Sequence, residues 1–388
     1  MSHRISYVVS RWGEPSQTFV RREAAAMQEL GWNVEALSLK TPRPCSPAIA
    51  VHHLPLAMVA AGILRSSLRS PGGVISVIWA VLRSSTHRTV VRRFAAALTG
   101  IAWVGCGTLR GDVIHAHFGW VAATAAWAAS EVSGTPYTVV LHAFEIHTAA
   151  LQDRFSCVAL RNASRVFVIS EIDRQHVEDR WGVRATVLRM GVPRSWLDRP
   201  PPIDGRAGIV AVGSLVPKKG HDVLIRSLTH CNEIWTLQIV GEGPERARLE
   251  ALVDEGALGS RVRFLGWKDA LEVRGLFDEA RIAALACVVE QDGNRDGIPV
   301  ALMEAMSRGT PVVSTDVGAI RELVEGVGTI VGPDDVQALA VALDALADDD
   351  LWNERSTACR ARVEASFVAD KSAEVLSELL METTRGTS

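Results

Sequence analysis

Two carboxylates, Asp296 and Glu304, lie eight positions apart in the stretch 295–324 (RDGIPVALMEAMSRGTPVVSTDVGAIRELV), with Gly297, Ile298 and Pro299 directly after the first. Glycine and proline end a loop here, and Pro299 suits the first turn of a helix. Residues 300–308 are rich in helix formers, and Gly309 fits the position just past a helix end. A helix opening on a glycine loop presents unpaired N–H groups and the positive end of a dipole, which together suit a diphosphate. Acids beside phosphate make sense when they read neutral hydroxyls. Glu304 on the helix and Asp296 on the loop therefore point to a sugar carried on a nucleotide.

A second cluster is 212–220 (VGSLVPKKG), where Gly213 and Ser214 precede Lys218 and Lys219, two of only five lysines in the chain. A cation at a strand end can neutralise the charge that gathers on a departing diphosphate. In the N-terminal half, His142 and Glu145 follow an apolar run (LHAFE, 141–145), and His115 and His117 alternate on another. No third carboxylate or cysteine accompanies that histidine pair at useful spacing, so no metal site is expected. Residues 13–19 (GEPSQTF) form a glycine loop leading into a helix, with Ser16 as a candidate N-cap beside Gly13 and Gln17.

Two α/β halves must position these groups. The first opens with strand 5–10, a helix ending near Gly31, and strand 34–39; further strands are expected at 113–115, 137–141 and 166–169. Residues 50–110 read as helical but weakly punctuated. The stretch 193–207 (PRSWLDRPPPIDGRA), with three successive prolines, reads as a linker. Beyond it, strands at 208–212, 235–240, 262–265, 282–288, 311–314 and 329–331 alternate with helices at 222–228, 245–255, 271–278, 300–308 and 319–325. That alternation indicates a doubly wound parallel sheet, whose strand ends are where such sheets bind ligands. Segments 335–348 and 351–384 read as helices. The dinucleotide fingerprint G-x-G-x-x-G is absent from both halves, so hydride transfer has no support.

The chain has 388 residues, 48% hydrophobic and 22% charged, which suits two globular domains. Its six cysteines are scattered singly, and no secretory apolar region follows the N-terminus, so reduced thiols and a cytoplasmic location are expected. The net charge of -3 divides into +9 over residues 1–200 and -12 over the remainder. Between residues 51 and 111 there are seven arginines and no carboxylate, which reads either as a solvated rim over ordinary helices or as a surface that docks on a phosphate-bearing acceptor or on anionic lipid at the inner face of a membrane. Nucleic acid is not an expected partner.

The 295–324 segment resembles the E-x7-E region of the retaining family-4 glycosyltransferases, and 212–220 resembles the same family's Gly-Arg-Leu and Lys-Gly pattern. The resemblance implies a GT-B fold: two Rossmann-like domains of doubly wound parallel sheet facing an interdomain cleft. It implies an N-terminal acceptor-binding domain (1–195), a C-terminal nucleotide-sugar domain (208–366), and a last helix, about 368–388, packing back on the first. Lys219 matches the phosphate-binding lysine. Gly241, Gly266 and Trp267 fall where relatives approach the base, and His142 where they approach the donor's sugar and phosphates, as a hydrogen-bond donor to acceptor or leaving group. Gly13, Ser16, Gln17 and Glu145 fall on the acceptor side. Two positions depart from the family: Asp296 replaces a glutamate, and Ser214 stands where an arginine is usual.

The expected activity is metal-independent, cofactor-free transfer, with retention, from a nucleotide-sugar to a hydroxyl acceptor in glycan or natural-product assembly. UDP is favoured on family frequency. A nucleotide-sugar epimerase, a phosphorylase and a catalytically silent binding partner are the alternatives.

Overall fold

The computed structural model describes residues 3–14, 17–45, 49–84, 89–148, 154–198 and 204–385. The chain forms two compact units, Met1–Arg189 with Asp370–Ser388, and Met190–Ala369.

In the first unit a seven-stranded parallel sheet carries the site residues. Its strands are β1 (Arg4–Val9), β2 (Asn33–Ser38), β3 (Ala50–His52), β4 (Val113–His117), β5 (Tyr137–Leu141), β6 (Arg165–Val168) and β7 (Thr186–Val187), in the order β3-β2-β1-β4-β5-β6-β7. β4 and β5 are buried along their whole length, as central parallel strands covered on both faces must be. The helices are α1 (Thr18–Glu29), α2 (Leu56–Arg69), α3 (Pro71–Ser84), α4 (Val90–Gly105), α5 (Val121–Ser133), α6 (Ala143–His147), α7 (Arg154–Arg161) and α8 (Glu171–Trp181).

The weakly punctuated 50–110 region resolves into β3 and helices α2 to α4. Three of its glycines, Gly62, Gly100 and Gly105, lie within helices and let those helices touch. A Cβ on Gly100 would lie 2.2 Å from the Ala125 carbonyl oxygen of α5, and one on Gly105 would lie 1.9 Å from that of Gly62 on α2. Six alanines of α5 are buried, consistent with this close backbone approach.

The second unit has a six-stranded parallel sheet: β8 (Ile209–Val212), β9 (Leu237–Val240), β10 (Val262–Gly266), β11 (Ile282–Leu285), β12 (Val312–Thr315) and β13 (Thr329–Val331), ordered β10-β9-β8-β11-β12-β13. Its helices are α9 (His221–Ser227), α10 (Arg246–Glu255), α11 (Ala270–Glu279), α12 (Val300–Ser307), α13 (Ile320–Val324), α14 (Val336–Ala345) and α15 (Asp349–Ser366). The final helix, α16 (Ala369–Arg385), lies almost wholly within the first unit. There the Trp32 indole donates to Ser377 Oγ at 2.8 Å, and Arg165 pairs with Glu382 at 2.6 Å.

The stretch 193–207 needs correction as a linker, because the division falls between Arg189 and Met190 and its described residues are packed parts of the second unit. Trp196 is buried, Asp198 pairs with Arg274 and Arg308, and the Arg206 guanidinium donates to the Thr310 hydroxyl and to the Arg308 carbonyl. The three prolines lie in 199–203, outside the described residues.

Candidate active site

In the second unit the candidate residues sit on loops at the ends of β8, β9, β10 and β11. These loops interlock through backbone. Gly220 has φ +62, and a Cβ there would lie 1.7 Å from the Ala286 carbonyl oxygen. A Cβ on Gly241, at φ +140, would lie 2.0 Å from the Gly213 carbonyl oxygen. Hydrogen bonds reinforce this packing: Leu215 N to Glu242 O at 2.9 Å, Gly241 N to Gly266 O at 2.8 Å, and Val288 N to Lys218 O at 3.0 Å. Gly213, Gly241 and Gly266 are thus positions where backbone meets backbone. Trp267, beyond β10, is 62% exposed, so its indole is an accessible flat surface.

On this base the structure brings Lys218, Lys219 and Asp296 together. Lys219 Nζ lies 2.5 Å from one Asp296 oxygen, and Lys218 Nζ lies 3.3 Å from the other. Burial alone would raise the Asp296 pKa, but the two ammonium groups hold it below the usual carboxylate range. Burial works to lower the Lys219 pKa, and Asp296 more than offsets it. Asp296 therefore does not project freely; in this structure it is the counter-ion of the lysine loop. Its backbone is clamped too, since a Cβ on Gly318 would lie 2.1 Å from the Asp296 carbonyl oxygen.

Directly after Asp296 come Gly297 and buried Ile298, and α12 then starts at Val300 with Pro299 as its N-cap. Gly309, at φ +69, follows its C-cap Arg308, the left-handed ending expected there. Glu304 lies within α12 and is buried. Ser214 is exposed on the lysine loop. A residue the sequence reasoning passed over, His221, lies buried just after Gly220; burial and then the charge of Lys219 bring its pKa down to about 4.

In the first unit a compact polar cluster surrounds His142. That histidine is the N-cap of α6, and its ring packs between Phe19 and Phe118 with centroids 4.7 and 4.5 Å away. Burial, then the neighbouring His117, lowers its pKa well below the ordinary value. His117 Nδ1 faces His142 Nε2 at 3.3 Å, while His117 Nε2 lies 3.0 Å from Glu23 Oε1. His115 Nε2 approaches the same oxygen at 3.2 Å, and the Tyr7 hydroxyl donates to it at 3.0 Å.

The expectation that no third ligand-type residue accompanies His115 and His117 is corrected by Glu23. It comes from α1 and was invisible to local spacing. The ligand atoms of the three lie within 4.8 Å of one another, a spacing that suits a divalent cation and equally suits donors around a carboxylate. The Tyr7 hydroxyl as a further donor on Glu23 Oε1 matches the second description. Burial works to raise the Glu23 pKa, but His117 and His115 hold it far below the carboxylate range.

Glu145, placed on the acceptor side by its sequence pattern, is turned inward: its Oε1 accepts from the Gly119 and His142 amides at 2.7 and 2.9 Å. Burial raises its pKa to about 7. Gly13 has φ +83, and a Cβ there would lie 2.4 Å from the Arg43 carbonyl oxygen. Gln17 precedes α1, and its amide donates to the Glu14 carbonyl at 3.0 Å. Ser16 lies outside the described residues.

Two doubly wound parallel sheets, one bearing a lysine loop and a glycine-led helix start, define a GT-B protein. Comparisons with known proteins agree on the fold. A sucrose-phosphate synthase from Thermosynechococcus elongatus superposes with a TM-score of 0.76 at 21% identity, covering 99% of this chain and 100% of that one. HepE of Anabaena, solved with UDP and glucose, gives 0.72 at 18% identity over 98% and 100%. The family model "Glycosyl transferases group 1" matches residues 206–349, and "Glycosyl transferase 4-like domain" matches 16–191. The chain belongs to this glycosyltransferase family. Among sequence relatives, an Escherichia coli protein named as a colanic acid biosynthesis glycosyltransferase, WcaL, is 28% identical over 89% of this chain and 91% of its own. The amylovoran biosynthesis glycosyltransferase AmsK of Erwinia amylovora is 36% identical over 44% of each chain.

Proposed function

We propose that this glycosyltransferase moves a sugar, with retention, from a UDP-sugar to a hydroxyl acceptor in polysaccharide assembly. The observation that carries the reading is the Lys218–Lys219 pair held on Asp296 at the threshold of α12. An incoming diphosphate takes the two ammonium groups from Asp296 and the unpaired amides at the helix start. Lys219 then stabilises the leaving diphosphate, whose oxygen helps deprotonate the acceptor. Glu304 and the released Asp296 orient donor hydroxyls, with Gly213, Ser214, Gly241, Gly266 and Trp267 lining the nucleotide. His142, Gly13, Ser16 and Gln17 serve the acceptor. The naming of WcaL for colanic acid biosynthesis and of AmsK for amylovoran biosynthesis, and the UDP and glucose in the HepE structure, support this choice of product and donor. Neither a metal nor a cofactor is required in this scheme.

We further propose that the acceptor lies at the cytoplasmic face of a membrane. Leu56, Leu64 and Leu68 of α2, and Ile75, Trp79 and Leu82 of α3, are exposed among Arg65, Arg69 and Arg83, with no carboxylate from 51 to 111. Apolar side chains interleaved with arginine suit an anionic bilayer surface. Among the described residues, no helix is long and apolar enough to cross a membrane.

The test is incubation with a panel of nucleotide-sugars and bacterial lipid-linked oligosaccharide, following nucleoside diphosphate release and the product's anomeric protons by NMR. Acceptor-dependent UDP release with the donor's anomeric configuration kept supports the proposal. Inversion, or donor binding without transfer or hydrolysis across the panel, refutes it.

A further inference from the structure

Beyond the ends of β1 and β2 the chain keeps pairing. Leu39 N donates to Val9 O at 3.1 Å, Lys40 N to Ser10 O at 2.9 Å, and Arg43 N to Trp12 O at 2.9 Å. The Trp12 amide donates to Ser38 Oγ at 3.1 Å. Gly13 completes the clamp, because with no side chain it admits the Arg43 carbonyl against its own backbone. Residues 11–14 and 40–43 therefore stand side by side at the C-terminal edge of the parallel sheet, the edge at which α/β sheets take ligands. His142 follows β5 at the same edge, two strand spacings from β1, or roughly 10 Å.

These two loops carry Arg11, Lys40 and Arg43, and one carboxylate, Glu14, that faces both arginines. One Glu14 oxygen is 3.2 Å from Arg43, and the other is 3.8 Å from Arg11. Among the described residues Glu14 is the only carboxylate that pairs with any of the three cations. The Arg11, Glu14 and Arg43 side chains are 33, 31 and 49% exposed, so solutes reach them, and Lys40 is exposed as well. A solvated ion pair of this kind holds weakly. A phosphate group carries more charge and more acceptor oxygens than a carboxylate, in a shape that the planar guanidinium fork matches. The arrangement repeats in the open what Asp296 does under cover, where a carboxylate of the chain itself bridges Lys218 and Lys219.

We propose that Arg11 and Arg43, assisted by Lys40, hold a phosphate group of the acceptor, which displaces Glu14. The phosphate end of the acceptor is then anchored beside β1 and β2 while its hydroxyl reaches towards β5. This rests on the transferase reading for calling the ligand an acceptor, and narrows that reading to acceptors that carry phosphate. The donor's diphosphate offers the same chemistry, so the two sources are separated by experiment.

Inorganic phosphate is titrated into the full-length protein in saturating UDP, which keeps the donor site filled, and binding is followed by ³¹P line broadening. Wild type is expected to bind phosphate under these conditions. Arg11→Gln combined with Arg43→Gln is expected to weaken phosphate on the order of 10-fold, with UDP affinity within about threefold of wild type. Glu14→Gln removes the competing carboxylate and is expected to tighten phosphate roughly threefold, a gain that a merely structural ion pair would not produce. Displacement of phosphate by farnesyl diphosphate supports a lipid-linked acceptor, and displacement by glucose 6-phosphate a soluble one. Phosphate affinity unchanged in the arginine double variant, or in Glu14→Gln, overturns the proposal. So does a loss of phosphate binding in saturating UDP together with weaker UDP binding by the arginine variant, since the group is then the donor's. Phosphate binding needs no turnover: its absence in an active transferase refutes this proposal alone, and its presence without transfer counts against the transferase reading alone.

Discussion

Lys219→Ala separates the chemical role of the lysine loop from its structural one, provided a second variant accompanies it. Lys219 and Asp296 are largely buried and 2.5 Å apart, with Lys218 at 3.3 Å as the remaining cation. Removing one partner of a buried pair costs about 3–5 kcal/mol, because the other charge stays without compensation. Lys218 keeps this loss near the lower end, roughly 3 kcal/mol. The catalytic loss has a different origin: one preorganised charge aimed at a transition state contributes on the order of 100- to 1000-fold in kcat. Lys219→Ala is therefore expected to lose both. Adding Asp296→Asn removes the stranded carboxylate and is expected to recover most of the stability and none of the lost kcat. Urea unfolding followed by fluorescence of the 11 tryptophans measures the first, and nucleoside diphosphate release the second. The reasoning is refuted if the double variant turns over within threefold of wild type, or is no more stable than Lys219→Ala.

Other outcomes follow from particular side chains. His221 has its pKa lowered to about 4 against an unfolded value near 6.5, so the unfolded chain binds the extra proton and stability falls as pH drops between these values, by about 3 kcal/mol; His221→Gln should flatten urea midpoints over that window. Asp296 is likewise shifted down, by its lysine partners, so its contribution is present above the unfolded carboxylate pKa and lost as pH falls through the lower folded one, below about 4; Asp296→Asn should remove that part of the acid limb. Gly220→Ala places a methyl against the Ala286 carbonyl at a left-handed φ, and a destabilisation of about 2 kcal/mol or more is expected in denaturant titration. Wild type should sediment with phosphatidylglycerol vesicles at low salt, and Leu68→Glu should weaken that on the order of 10-fold, since burying one leucine contributes about 1.5–3 kcal/mol; equal sedimentation would refute the membrane surface.

The two parallel sheets were legible from β-α alternation, and α12 from Pro299 and Gly309, because those signals are local. What escaped depends on contacts between distant segments. Glu23 carries no local signal in the sequence, and only the fold sets it against His115 and His117. Asp296 was read as a free sugar contact, yet its nearest partners are lysines from the β8 loop, far back in the chain. The 50–110 boundaries were obscure because Gly62, Gly100 and Gly105 serve helix contact, which resembles helix breaking in a one-dimensional reading. The 193–207 stretch had a linker's composition, but Trp196, Asp198 and Arg206 anchor it in the second unit.

The central claim is that the lysine loop and the start of α12 hold a nucleoside diphosphate. Calorimetric titration of UDP into wild type and into the Lys219→Ala, Asp296→Asn double variant tests it most directly. The account predicts saturable binding to wild type at one site and at least 10-fold weaker binding to the double variant, the equivalent of about 1.4 kcal/mol. Equal affinity for the two proteins, or no binding of UDP or GDP to wild type, would contradict it.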